Sequence, residues 1–177
     1  MTQNQDTLAA VSLTMADEDS DAFAERIGRS FADWGFAVVA DHGIPAELIE
    51  RAETMSRTFF ALPEEVKRSY HIAGGGGARG YTPFGTESAK DSNISDLKEF
   101  WHIGRDLPAG HAFEPYMPPN IWPKELDGFR ETYLEMFAAF DKAGARILEA
   151  IARFLGLAPD FFVDTVRDGN SVMRLIH

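Results

Sequence analysis

The order of apolar patterns along this 177-residue chain predicts an α+β fold. Two observations carry the prediction. Apolar residues recur every three or four positions in several stretches, and short aromatic or β-branched runs separate those stretches. The balance of 45% hydrophobic and 25% charged residues is ordinary for a globular chain, so one core at this length needs no staples.

Taken in order, residues 1–7 are polar and expected to fray, and Ala9 to Leu13 is a short apolar run predicted as a strand. Phe23, Ile27, Phe31 and Trp34 mark one face of a helix, with Asp19 or Ser20 as N-cap and Gly35 as terminator. Phe36 to Val39 reads as a strand, and Asp41-His42-Gly43 turns the chain. A second helix opens at Pro45 and buries Leu48, Ala52, Met55 and Phe59. Pro63-Glu64-Glu65 starts a short acidic-first helix running to about Tyr70. The glycine run 74–77 predicts a mobile loop over 71–79 unless another group clamps it. Leu97 to Ile103 reads as a strand, and five prolines between Pro108 and Pro123 predict a wrapping loop. From Phe129 through Tyr133, Phe137, Phe140, Gly144, Ile147 and Ile151 to Phe154 runs the strongest periodicity, a helix of roughly 30 residues, closed by Gly156 and Pro159. One or two helical turns follow over 160–166, and Ser171 to His177 reads as a strand.

Composition excludes several functions. A net charge of −11, with no Lys/Arg cluster to offset it, argues against nucleic acid and anionic membranes as partners. The absence of Cys removes disulfides, thiolate metal sites and cysteine nucleophiles, and fits a cytoplasmic address. Neither a secretory signal nor a run of 18 apolar residues is present.

The histidines at 42, 71, 102, 111 and 177 offer no His-x-Asp or His-x-Glu, the pattern that sets two iron ligands on one side of a strand. Glu99 and His102 have the spacing of a helical di-iron ligand pair, but it occurs once and in a predicted strand, so the pair reads as a half-buried His beside a surface Glu. No metal ligand and no catalytic residue is therefore expected in this chain. The glycine run lacks the Lys-Ser/Thr of a phosphate loop, and no Gly-x-Ser-x-Gly elbow supports a serine nucleophile. Two features remain. Arg79, Tyr81, Thr82, Phe84 and Glu87 place charged, aromatic and hydroxyl groups on an irregular segment, the composition of a substrate-gripping loop or of a surface loop with a packed Tyr. Arg174, between Met173 and Leu175, must meet a carboxylate if it faces inward and has no role if it faces solvent.

The order of these pieces resembles a known family. Trp34-Gly35-Phe36 leading to Asp41-His42-Gly43-Ile44, Phe59-Phe60-Ala61-Leu62-Pro63-Glu64-Glu65, Arg79-Gly80-Tyr81-Thr82-Pro83-Phe84-Gly85, Leu97 to Gly104, Asn120-Ile121-Trp122-Pro123 and Met173-Arg174-Leu175-Ile176-His177 are together similar to the N-terminal half of the isopenicillin N synthase-like iron(II)/2-oxoglutarate-dependent oxygenases. The resemblance implies helices packed on the beginning of a β-sandwich (a jelly-roll, or double-stranded β-helix), with the barrel largely missing. It implies Fe(II) and 2-oxoglutarate for the complete enzyme, neither held by this chain alone, because the family's His-x-Asp, distal His and Arg-x-Ser motifs follow the strand at 171–177. It places Arg79, Tyr81, Thr82, Phe84, Glu87 and Arg174 toward the substrate end of the pocket.

The expected organisation is a disordered N-terminus over 1–8, a non-haem dioxygenase N-terminal domain over 9–170, and the first strand of a truncated catalytic domain over 171–177. The expected partner is a small-molecule substrate met through the missing catalytic half. The alternative is a stand-alone, non-catalytic binding or regulatory module that pairs, or self-associates, through an open sheet edge.

Overall fold

A computed structural model describes residues 8–87 and 96–177; the frayed N-terminus expected over 1–7 lies outside them. The chain divides into two compact units, one of residues up to Pro45 with Ala138–Arg167, the other of Ala46–Phe137 with Asp168–His177.

In the first unit, β1 (Val11–Ser12) pairs in parallel with β2 (Val39–Ala40), in the register Val11↔Val39. Both strands are shorter than the runs that predict them. Helices α1 (Met15–Glu18) and α2 (Ser20–Trp34) follow β1. The Asp19 carboxylate accepts from the Ala22 amide at 2.9 Å, and Gly35 closes α2 at φ 78°. Phe23 and Ile27 of the expected stripe are buried with Val11, Leu13, Ala143 and Ala150, but Phe31 and Trp34 are 39% and 45% exposed. The apolar stripe outruns the side chains that cover its first two turns. Gly28 is set by packing, because a Cβ there would lie 2.1 Å from the Phe154 ring.

The long helix α5 (Phe129–Phe154) spans 26 residues and contributes to both units. Its end is a Schellman motif, with Leu157 N–H bonded to Ala152 O and Gly156 N–H to Arg153 O, both at 2.9 Å. Phe140, expected in its buried stripe, is 53% exposed. The short helix α6 (Val163–Val166) follows.

The second unit carries helices α3 (Ala46–Phe60) and α4 (Glu64–Arg68) and an antiparallel sheet ordered β3 (Gly80–Thr82), β4 (Phe100–Gly104), β5 (Val172–Ile176). An aromatic cluster fills its core. Phe59 meets Trp101 edge-on at 4.8 Å and Tyr81 at 5.9 Å, and Phe129 lies 5.6 Å from Trp101 and 4.6 Å from Tyr133. Each such pair adds roughly 0.5–1.5 kcal/mol beyond the area it buries. The Tyr133 hydroxyl donates to Ala52 O at 2.6 Å, so this buried phenol is satisfied. All five residues of β4 are buried, because side chains cover both of its faces. The proline-rich stretch holds one 3-10 turn, Glu114–Tyr116, and otherwise wraps as expected. Both sheets are small and unclosed.

Candidate functional site

The pairing register sorts the side chains of the three-stranded sheet. Tyr81, Trp101 and Leu175 are register partners on one face, while Thr82, Phe100, His102 and Arg174 share the other.

The first face carries a buried charge cluster. Lys67 Nζ contacts both oxygens of Glu99, at 2.9 and 2.7 Å, and donates to Phe60 O at 3.2 Å. The Tyr81 hydroxyl donates to Glu99 Oε2 at 2.5 Å, and His177 Nδ1 lies 2.9 Å from Oε1. Glu99 is 1% exposed and Lys67 5%. Burial raises the Glu99 carboxyl, but the bonds from Lys67, Tyr81 and His177 outweigh it and hold it below its ordinary value. Burial and the Glu99 carboxylate push the Tyr81 phenol far up, so it stays a donor. Every charge here has a partner, and the cluster ties α4 to β3 and to the residue that leads into β4.

The second face is built differently. His102 Nδ1 sits against the carbonyl of Gly77. A carbonyl only accepts, so Nδ1 carries the proton and Nε2 the lone pair, which receives the Nε–H of Arg174. Burial lowers the His102 pKa, and the Gly77 bond only partly opposes this, so the ring is neutral as its bonds require. This contact is the clamp that the glycine run needed; Gly77 accepts it at φ 70°, where a residue with Cβ would be strained. The Arg174 guanidinium lies 4.3 Å over the Phe100 ring and 3.7 Å from Glu87. Glu87 is itself held by Lys98 at 3.0 Å.

Arg79 lies on the backbone of Gly104, where an added Cβ would sit 2.0 Å from its guanidinium carbon. Its Nη1 donates to Ala78 O at 2.7 Å, while Nε and Nη2 have no hydrogen-bond partner among the described residues. Arg79 is only 2% exposed, and desolvation lowers its pKa against the pull of Asp106.

Arg174 and Glu87 are thus brought together, and Thr82 shares their face of the sheet. Tyr81 is turned to the opposite face, as strand alternation demands of a neighbour of Thr82. Phe84 is 44% exposed in the turn after β3. Arg174 meets a protein carboxylate, Glu87, as expected of an inward-facing arginine, and a neutral imidazole holds its Nε. Sequence reasoning missed Phe100, His102 and Lys98; period two between Phe100 and His102 was the available signal. It also took Glu99 for a surface residue. Three positions apart in extended chain, Glu99 and His102 point to opposite faces, and the carboxylate is buried by the donors around it.

Among the described residues no group of three His, Asp or Glu side chains could hold a metal ion, so they do not fit the iron(II) that the resemblance implies. No helix of the described residues is long and apolar enough to cross a membrane.

Comparison with known proteins agrees with the fold. Residues 8–125 match the family described as non-haem dioxygenase in morphine synthesis N-terminal. The chain is 37% identical over 153 residues to validamycin A dioxygenase of Streptomyces hygroscopicus subsp. limoneus, covering 83% of this chain and 42% of that protein. It is 30% identical over 182 residues to a 2-oxoglutarate-dependent dioxygenase of Talaromyces stipitatus, covering 97% and 56%. Among solved structures, a 2OG-Fe(II) oxygenase family protein from Caulobacter crescentus superposes with a TM-score of 0.89 at 45% identity, over 96% of this chain and 55% of that one. Neurospora crassa T7H in complex with alpha-KG gives 0.80 at 26% identity, over 99% and 55%. The chain spans about half the length of the relatives it matches. On its matched family, its relatives and its fold, the chain belongs to the isopenicillin N synthase-like 2-oxoglutarate/Fe(II) oxygenase family and matches that family's N-terminal region.

Proposed function

We propose that the chain is the substrate-recognising half of an oxygenase that oxidises a small organic molecule, with the metal and 2-oxoglutarate held by residues outside these 177. In this reading 171–177 is the first strand of the catalytic jelly-roll, and β5 offers its outer edge for that sheet to continue. One observation carries the proposal: on the Arg79–His102–Arg174 face the framework leaves two donors of the buried Arg79 without a partner, in a chain whose net charge is −11. Buried polar groups without partners are rare in a framework and concentrate where a ligand completes them. The residues present bind and orient: Arg174 is aimed by His102 and Phe100. The share of the relatives' length that is covered supports the division of labour.

Reading the coding frame past the codon for His177 tests this directly. We expect it to continue into a His-x-Asp pair and a more distant His. An immediate stop codon would overturn the proposal in favour of the stand-alone binding module.

A further inference from the structure

We propose that Arg79 is the anchor of a carboxylate-binding site on this face, so that the substrate is an organic acid. The inference rests on the reading that this face meets substrate and adds its chemical class. The two unpartnered atoms of Arg79, Nε and Nη2, form one edge of the guanidinium. Their N–H bonds run parallel and match the two oxygens of a carboxylate side-on. A hydroxyl or carbonyl ligand would complete only one of the two donors. The Nη1 edge is already committed to Ala78 O, so the open edge has a defined direction.

Three further observations make the edge a built feature. Gly104 supplies the bed: any larger residue would displace the guanidinium, and both the amide and the carbonyl of Gly104 are held by the Asn120 side chain at 2.8 Å. The neighbouring carboxylates have partners of their own, and neither hydrogen-bonds the open edge of Arg79. Asp106 accepts from Asn120 at 2.7 Å, and Glu87 is shared between Lys98 and Arg174. Finally, Arg174 adds a second cation on the same side of the sheet, and a neutral His102 sets its direction without cancelling its charge. Two guanidinium groups therefore stand on one side of the sheet, and the open fork of Arg79 favours a carboxylate over a neutral ligand.

The experiment uses the 177-residue chain labelled with 15N, following the arginine Nε–H resonances. The probes are benzoate, its neutral counterpart benzamide, and 2-oxoglutarate, since a carboxylate is common to an acidic substrate and to the cosubstrate. Benzoate is expected to move the Arg79 Nε–H signal saturably, and benzamide to leave it unmoved. Arg79→Lys keeps the charge but loses the fork and should weaken benzoate at least tenfold, while its backbone amide spectrum reports that the fold persists. Arg174→Gln should weaken benzoate less than Arg79→Lys does. Three results would each overturn the proposal: no saturable shift with benzoate, equal binding by Arg79→Lys, or tighter binding of 2-oxoglutarate than of benzoate at this resonance. None of them bears on whether iron ligands follow His177, so failure here leaves the broader proposal to its own test.

Discussion

The two faces of one three-stranded sheet bury charge in opposite ways. On the first, Glu99 collects Lys67, Tyr81 and His177, and both of its oxygens are used. On the second, Arg79 is as deeply buried but leaves two donors unmatched, and Arg174 leans on a neutral ring. On the function proposed above, the difference separates framework from site. A closed network rigidifies the sheet, whereas an open one stores binding capacity for a ligand.

The largest effect should come from opening the closed network. Glu99→Gln leaves the buried Lys67 ammonium only the half-exposed Glu64 carboxylate, 3.6 Å away, at a cost of about 3 kcal/mol. Urea denaturation measures it, and a loss under about 1 kcal/mol would mean that the cluster is no framework. Disturbing the second face should cost less. Gly104→Ala forces Arg79 off its bed and should lose roughly 1–3 kcal/mol, since a flexible side chain can give way.

Acid titration should resolve the faces in turn. His102 is depressed from 6.5 by burial, so between that value and its folded value the unfolded chain binds more protons. Its contribution to stability is complete above pH 6.5 and is lost as pH falls through the folded value. Glu99 is also depressed, from 4.5, so its contribution persists to lower pH and is lost only below that. Stability followed by urea midpoint should fall in two stages on acidification, and His102→Gln should remove the first. A single stage starting below pH 4.5 would show that His102 carries no buried strain.

How far all this was readable from sequence follows the range of the forces. Helix caps and stripes are local, so Asp19, Gly35 and Gly156 declared themselves through neighbours a few residues away. The buried faces of α3 and of the first turns of α5 were equally clear, because period 3.6 is written in the chain. Burial at the ends of the stripes was not, since Phe31, Trp34 and Phe140 depend on what lies against them. Of the residues grouped from sequence, Thr82 and Arg174 share one face of the sheet, but Tyr81 was grouped with them although strand alternation sends it to the other face. Glu99 and His102 were misread for the same reason. Their partners sit 32 and 72 residues away, at Lys67 and Arg174, and only the sheet register brings them together.

The most direct test of the contrast between the faces is the stability of Arg79→Met, with and without benzoate. Because Arg79 is an incompletely matched buried cation, its apolar replacement should be within about 1 kcal/mol of the parent or more stable. Benzoate should raise the urea midpoint of the parent alone. A variant as crippled as Glu99→Gln, or one that benzoate stabilises equally, would contradict the account.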